Sequence, residues 1–169
     1  LGCNGLIGNT FFRYFSSKLN YKVYGTVRKK KSIQLFKKNL QRNIIIFNSY
    51  KNNSKLKKLL CYRNYDVVIN CIGVTKRKEH MSIETIFINS VLPYNILYLK
   101  KMQTKLIQLS TDCVFSGFKG NYKENYIADA KDLYGITKVL GEVQSKNSIS
   151  IRTAVIGHEI SFPKVGLLE

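Results

Sequence analysis

The stretch Gly2-Cys3-Asn4-Gly5-Leu6-Ile7-Gly8 begins the chain and places a glycine at every third position. Glycine permits a tight turn and lets the backbone come close to a phosphate group. Apolar residues with helical spacing follow over residues 6–15, so the loop opens a helix whose N–H groups and positive dipole end favour phosphates. The stretch therefore predicts a dinucleotide-binding α/β fold. Its predicted cofactor contacts are Gly2, Asn4, Gly5, Leu6, Ile7 and Gly8.

Short strand-like apolar runs alternate with helical segments along the rest of the chain. The predicted strands are residues 23–27, 44–47, 67–72, 106–109 and 149–153. The predicted helices are residues 6–15, 33–40, 56–61, 86–102 and 134–144. Apolar strands separated by helices indicate a parallel sheet covered on both faces. We therefore predict an α/β fold with a doubly wound parallel sheet, forming one NAD(P)-binding Rossmann domain over residues 1–169.

The two ends of the chain lead us to expect further sequence. Only Leu1 precedes the glycine loop, although a doubly wound fold places a strand there. Leu167-Leu168-Glu169 ends the chain without a cap or a turn. We expect the domain to lack its first strand and the substrate-binding C-terminal part, and to be inactive in this form.

The composition indicates an ordinary globular protein of the cytoplasm. Hydrophobic residues make up 44% of the 169 residues, and no apolar run approaches the roughly 20 residues of a membrane span. The four cysteines have no C-x-x-C spacing, so we expect neither a metal site nor a disulfide framework. We expect no membrane partner; a homodimer stays open.

The net charge of +18 has two interpretations. A basic surface can bind nucleic acid or an anionic membrane. The lysines are spread along a chain also rich in Asn, Ile and Tyr, which is what AT-rich codons supply. We therefore expect compositional drift rather than nucleic-acid binding, with some steering of an anionic cofactor.

Basic residues follow the predicted strand 23–27, in the sequence Gly25-Thr26-Val27-Arg28-Lys29. NAD-binding folds usually place an acidic residue at this point to hold the ribose hydroxyls. Here Arg28 can stack on adenine and bind a 2′-phosphate, and Lys29 adds positive charge. The sequence thus favours NADP(H) over NAD(H).

Polar residues follow two further predicted strands. Asn70-Cys71-Ile72-Gly73 ends one strand, and Ser110-Thr111-Asp112 follows another. Strand C-termini face the ligand crevice in such folds, so Cys71, Ile72 and Gly73 are predicted to contact the cofactor. A hydroxyl after the second strand can bond to a substrate carbonyl oxygen.

Tyr134-Gly135-Ile136-Thr137-Lys138 places a phenol and an ammonium one helical turn apart. The positive charge is expected to lower the tyrosine pKa and to make the phenol usable as an acid or base. A lone Tyr-x-x-x-Lys is a weak signal in a Lys-rich chain. Here Thr111 stands 23 residues before Tyr134, and the glycine loop is also present.

Taken together, the motifs resemble the extended short-chain dehydrogenase/reductases. The run Ser110-Thr111-Asp112-Cys113-Val114-Phe115-Ser116-Gly117, followed by Tyr134-Gly-x-Thr-Lys138-x-x-Gly-Glu142, looks most like the dTDP-4-dehydrorhamnose reductase branch, often described as sugar-nucleotide-binding. Asn70 to Gly73 and Ile151-Arg152-Thr153 fit the same pattern.

The resemblance implies an NADP-dependent reductase of a keto-sugar nucleotide. Tyr134 would be the catalytic acid, Lys138 would lower its pKa and hold the nicotinamide ribose, and Thr111 would assist at the carbonyl. Asn89 matches a family asparagine, and we expect Asn89, Ser110 and Asp112 near the substrate. Two alternatives stay open: an epimerase or dehydratase of the same superfamily, and a non-catalytic NADP-binding regulatory subunit.

Overall fold

The computed structural model describes residues 1–75, 83–158 and 160. The chain forms two compact units, which we call the terminal unit (Leu1–Tyr50 with Val155–Glu169) and the central unit (Lys51–Ala154). In both units the strands pair in parallel and alternate with helices, so the predicted α/β class is confirmed. Among the described residues, no helix is long and apolar enough to cross a membrane.

The terminal unit contains a two-stranded parallel sheet. Its elements are α1 (Leu6–Ser16), β1 (Gly25–Val27), a 3₁₀ helix (Lys30–Leu35), α2 (Lys38–Gln41) and β2 (Ile44–Ile46). Gly25 is in register with Ile44, and Val27 with Ile46. Cys3, Phe12, Val27 and Phe36 form the buried core of this unit.

The predicted helix over residues 33–40 is wrong, because the chain there is interrupted at Phe36. This residue has extended backbone angles, φ −110° and ψ 151°, between the 3₁₀ helix and α2. Its side chain is buried and meets the Phe12 ring edge-on, with the ring centroids 5.5 Å apart. Insertion of this aromatic ring into the core outweighs the helical spacing of the neighbouring residues.

The central unit contains a three-stranded parallel sheet in the order β3-β4-β5. Its strands are β3 (Val67–Asn70), β4 (Lys105–Leu109) and β5 (Ser148–Ile151). Its helices are α3 (Asn53–Cys61), α4 (Ile83–Ile86), a π-helix (Phe87–Val91), α5 (Leu92–Leu99), a 3₁₀ helix (Asp112–Val114) and α6 (Leu133–Leu140). Its buried apolar side chains include Leu56, Leu60, Leu92, Ile96, Leu106 and Val114.

The predicted helix over residues 86–102 is divided by the π-helix. A π-helical turn holds one extra residue, and such turns occur frequently at functional sites. Pro93 lies in the first turn of α5, where its missing N–H costs least. The π-helical turn carries Asn89, which is 1% exposed.

Candidate active site

The glycine loop of the terminal unit is bound to the middle of β1. The backbone N–H of Gly2 donates to Thr26 Oγ1 at 3.0 Å, and that of Cys3 donates to the Thr26 carbonyl, also at 3.0 Å. A Cβ at Gly8 would lie 2.2 Å from the Gly2 carbonyl oxygen, so a side chain there does not fit. The N-cap of α1 is Gly5, which has no side chain to occupy the first-turn N–H groups. This arrangement fits the phosphates of a dinucleotide.

The end of β1 carries positive charge and lacks a carboxylate. Arg28 and Lys29 directly follow the strand and are both exposed. Residues 1–50 contain ten lysines and arginines but no aspartate or glutamate. Ribose hydroxyls would find no acidic partner among these residues, whereas an additional phosphate would find cations.

In the central unit, the end of β4 lies along one face of α6. Asp132 caps this helix by accepting from the Gly135 N–H at 2.8 Å. The Thr111 side chain lies close enough to Tyr134 to lower the pKa of its phenol, and Tyr134 stands four residues before Lys138 on α6. Lys138 Nζ donates to the Leu109 carbonyl at 2.6 Å. The structure thus brings together the three residues predicted to be catalytic, Thr111, Tyr134 and Lys138.

Lys138 is a buried ammonium group. Only 6% of the residue is exposed. Burial lowers its pKa to about 8, while Glu142 and Cys71 act in the opposite direction. Near neutral pH the group is therefore still mainly charged, but with a pKa far closer to neutrality than that of an ordinary lysine.

The pKa of Tyr134 differs from the sequence expectation. Burial raises this pKa above its ordinary value, and the hydrogen bond with Thr111 lowers it only in part. Cys113, Asp112 and Asp132 raise it further. Desolvation of the phenolate therefore outweighs the favourable contacts, and the expected lowering by Lys138 is not what this structure shows.

Both the oxygen and the nitrogen of the Asn89 side-chain amide form hydrogen bonds within the protein. Its Oδ1 accepts from the Val74 N–H at 2.9 Å, and its Nδ2 donates to the Val74 carbonyl at 3.1 Å and to Thr137 Oγ1 at 3.2 Å. Asn89 thus joins the segment after β3 to α6. Because Asn89 is buried and its amide is already hydrogen-bonded, the structure argues against the direct substrate contact expected from the sequence.

A second contact holds the π-helix against α6. Gly141, the C-cap of α6, packs so tightly that a Cβ there would lie 1.8 Å from the Asn89 carbonyl oxygen. Ser90 Oγ also donates to the Thr137 carbonyl at 2.9 Å. The helix that carries Tyr134 and Lys138 is therefore fixed at its C-terminal end.

The segment after β3 also lies near Lys138. A Cβ built at Gly73 would be 3.8 Å from Lys138 Nζ and 3.6 Å from Asn89 Oδ1, both ordinary contact distances. Cys71 is partly buried, and burial raises the pKa of its thiol. The Ile72 N–H donates to Asn70 Oδ1 at 3.2 Å, which fixes the backbone of this predicted cofactor segment.

The two predicted substrate residues beside Thr111 differ in environment. Ser110 is buried, and its hydroxyl donates to Glu142 Oε1 at 2.7 Å. Asp112 is exposed, and its carboxylate accepts from Thr111 Oγ1 at 3.1 Å. Asp112 is therefore accessible to a ligand, whereas the Ser110 hydroxyl already donates its proton to Glu142.

Four polar residues support this region, and the sequence analysis gave none of them a role. Glu142 forms a two-pronged ion pair with Arg152, with N–O distances of 2.8 Å for both contacts. Asn70 Nδ2 donates to Gln108 Oε1 at 2.7 Å, and Gln108 Nε2 donates to the Leu109 carbonyl at 3.0 Å. The sequence held one signal: Glu142 follows Lys138 by four residues, as Lys138 follows Tyr134.

The connection between β4 and α6 is held together by its own residues. Asp129 accepts from the Ser116 N–H at 2.7 Å and from its hydroxyl at 2.6 Å. The rings of Phe115 and Tyr122 stack with centroids 4.5 Å apart. These contacts close residues 115–129 into a loop, at whose tip Phe118 is exposed.

The described residues contain no group of three or more His, Cys, Asp or Glu side chains arranged to hold a metal ion. The polar groups gathered at α6 are instead hydroxyl, ammonium and amide groups. Such a set can polarise a carbonyl oxygen and bind ribose hydroxyls.

Several solved structures share this fold. A hypothetical dTDP-4-dehydrorhamnose reductase from Sulfolobus tokodaii matches 89% of the chain with 25% identity and a TM-score of 0.70. Helicobacter pylori ADP-L-glycero-D-manno-heptose-6-epimerase matches 89% with 16% identity and a TM-score of 0.72. Bacillus anthracis dTDP-glucose 4,6-dehydratase, in complex with NAD, matches 83% with 23% identity and a TM-score of 0.63.

The chain covers 53%, 52% and 46% of these three solved chains, respectively, so it spans about half their length. No curated protein sequence matches it significantly. Residues 1–150 match the NAD dependent epimerase/dehydratase family. The chain therefore belongs to this family of extended short-chain dehydrogenase/reductases, with the Rossmann-type fold that the sequence predicted.

Proposed function

We propose that this protein is an NAD(P)-dependent oxidoreductase that reduces the ketone of a keto-sugar nucleotide. The observation that carries the proposal is the face of α6, where Tyr134 and Lys138 meet Thr111 and Leu109 at the end of β4. The family match and the similarity to a hypothetical dTDP-4-dehydrorhamnose reductase support the same chemistry. On this proposal residues 1–169 act as an NAD(P)-binding Rossmann domain.

Tyr134 would act as the proton donor. Because burial raises its pKa, the phenol carries its proton at neutral pH, which is the form that an acid needs. Thr111 lies near the Tyr134 phenol and would share in holding the substrate carbonyl oxygen. Transfer of the phenolic proton to that oxygen leaves a phenolate, which the nearby Thr111 hydroxyl would stabilise.

Lys138 would also hold the nicotinamide ribose. A lysine ammonium has three N–H donors, and the Leu109 carbonyl takes one of them. The remaining donors suit ribose hydroxyls. The bound dinucleotide supplies a hydride to the sugar carbon; the chain binds it, orients it and provides the proton.

We further propose that NADP(H) is preferred over NAD(H). The glycine loop of the terminal unit would bind the pyrophosphate, and Arg28 with Lys29 would bind the 2′-phosphate. The absence of acidic residues from residues 1–50 supports this preference. No disulfide joins the four cysteines, all of which lie within the described residues, so we place the protein in the reducing cytoplasm, where its partners would be NADP(H) and a nucleotide sugar.

Single-turnover oxidation of bound NADPH, with a panel of keto-sugar nucleotides, tests the proposal. We expect the nicotinamide absorbance to disappear with at least one substrate and the rate to fall sharply in Tyr134→Phe. Binding of NADPH without oxidation by any substrate would instead support a non-catalytic NADP-binding subunit. A Tyr134→Phe rate equal to that of the unsubstituted protein would overturn the assigned acid.

A second candidate is epimerase or dehydratase chemistry on a nucleotide sugar. The exposed Asp112 carboxylate, which bonds to Thr111, favours it, since elimination needs a base near the sugar carbonyl. Similarity to a dehydratase and an epimerase is consistent with this alternative. The reactions separate by product: a reductase consumes NADPH stoichiometrically, whereas the other enzymes regenerate their cofactor.

A further inference from the structure

Three successive residues at the end of β4 meet three residues of α6 and its C-terminal extension. Leu109 accepts from Lys138, Ser110 donates to Glu142, and the Thr111 side chain lies near the Tyr134 phenol. Tyr134 and Lys138 are four residues apart and lie on one face of α6, and Glu142 follows directly after the C-cap Gly141. Two of these pairs belong to the proposed catalytic machinery, whereas the pair of Ser110 and Glu142 does not.

Glu142 is held more firmly than a surface carboxylate. Its side chain is 18% exposed, and its two oxygens accept from Arg152 Nε and Nη2, both at 2.8 Å. Two-pronged pairs of this kind fix orientation as well as charge. Arg152 also donates to the Glu124 carbonyl at 3.2 Å and lies over the Phe115 ring, 5.0 Å from its centroid. The carboxylate therefore cannot turn away from the end of β4 without breaking several contacts.

The charged and titratable groups acting on the buried Lys138 come from two elements. Glu142 acts from the C-terminal extension of α6, and the Cys71 thiol from the segment after β3. The neighbour on β4 is the uncharged Leu109 carbonyl. Because the Cys71 thiol is neutral near pH 7, the Glu142 carboxylate is the anion that offsets the cost of burying the Lys138 charge.

We propose that Glu142, oriented by Arg152, is a positioning residue that keeps Lys138 protonated and holds the Ser110–Thr111 backbone against α6. Glu142 touches neither the cofactor nor the substrate and acts through these neighbours. The effect expected on the rate of NADPH oxidation rests on the proposed reductase function. The effect expected on the pKa of Lys138 depends only on residues of this chain.

The two partners of the ion pair are expected to shift the pKa of Lys138 in opposite directions. Glu142→Gln removes the anion and leaves the Arg152 cation, so the Lys138 pKa should fall by about one unit. Arg152→Gln leaves the anion without its cation, so the Lys138 pKa should rise. The double variant should lie between them. A purely structural loosening would expose Lys138 in both variants and raise its pKa in both.

The experiment is an NMR titration of the Lys138 side-chain ammonium in the whole chain, assigned by its loss in Lys138→Arg. The matched control is Glu124→Gln, which makes the same chemical change at a residue that meets Arg152 through its backbone carbonyl alone. We expect no shift of the Lys138 pKa in the control. Circular dichroism verifies that each variant folds. If Arg152→Gln does not fold, the direction of the shift in Glu142→Gln decides; if Glu142→Gln does not fold, a lower Lys138 pKa in the double variant than in Arg152→Gln decides.

Opposite shifts in the two single variants support the proposal. Equal shifts, shifts of the same sign, or a shift in Glu124→Gln as large as in Glu142→Gln would overturn it. A kinetic experiment adds the pH profile of NADPH oxidation. In Glu142→Gln, the fall in rate at alkaline pH should begin at a lower pH than in the unsubstituted protein. If the protein shows no turnover, the reductase proposal fails while the titration still tests the role of Glu142.

Discussion

Replacing Gly141 with alanine tests how tightly α6 is held against the π-helix. The backbone of Gly141, with φ −94° and ψ 3°, suits an alanine, so the available space decides the effect. The new methyl group would lie 1.8 Å from the Asn89 carbonyl oxygen and 2.9 Å from its carbonyl carbon. A backbone group cannot rotate away as a side chain can, so the two segments must separate.

The expected cost follows from this overlap. Overpacking costs about 1–3 kcal/mol, and contact with a fixed carbonyl places this case near the upper value. The lower entropy of the unfolded alanine variant returns about 0.4–1 kcal/mol. We therefore expect the free energy of unfolding to fall by about 2 kcal/mol, which lowers Tm by about 4–8 °C in a chain of this size.

Thermal unfolding followed by circular dichroism measures the change. Gly73→Ala is the matched control, because its methyl group would also approach Asn89, but at an ordinary 3.6 Å. We expect the control to melt close to the unsubstituted protein. If Gly141→Ala melts no lower than Gly73→Ala, the close approach of α6 and the π-helix is not as the structure shows.

The other predictions concern the proposed site. Tyr134→Phe should leave NADPH binding intact and lower the single-turnover rate by about 10²–10⁴. Thr111→Val should lower this rate less, because the proton source remains. Equal decreases in rate in the two variants would contradict these roles. Arg28→Ala should weaken NADPH binding by about ten- to a hundredfold, as measured by fluorescence titration, and leave NADH binding unchanged; equal effects on both would refute 2′-phosphate recognition. Burial lowers the pKa of Lys138 to about 8 in the folded protein. Between about pH 8 and 10.5 the unfolded chain therefore keeps a proton on this lysine that the folded protein has lost. Across that range Lys138 makes the free energy of unfolding rise with pH by about 3 kcal/mol. Urea unfolding should show this gain as the difference between the unsubstituted protein and Lys138→Met; a difference that does not change with pH would disprove it.

Local sequence patterns predicted the strands and the positions of the residues at their ends. The apolar run before Ser110 places Thr111 at the end of β4, and the spacing of Tyr134 and Lys138 places both on one face of α6. These features depend on short-range periodicity, which a single sequence contains. The division of the long helix at Asn89 depends instead on a partner 48 residues away, Thr137, and on the close approach of Gly141.

Electrostatic properties were harder to predict than positions. The sequence shows that Lys138 is near Tyr134, but the pKa of each depends on how completely it is removed from water. Burial is a tertiary property, and here it is the largest cause of the raised pKa of Tyr134 and of the lowered pKa of Lys138. Glu142 was missed as a functional residue for the same reason, since its effect depends on Arg152, which lies on a separate segment after β5.

The loop between β4 and α6 is contacted by Arg152 at Glu124 and Phe115, which leaves its tip as the part that can vary. Asp129 and Ser116 close its base, while the tip, with Phe118 exposed, is set apart from the core. The tip can therefore change in sequence or length without rebuilding the strand end or the helix that it connects. Thr111 and Tyr134, which lie on either side of this loop, can therefore keep their positions while the sequence of the tip changes.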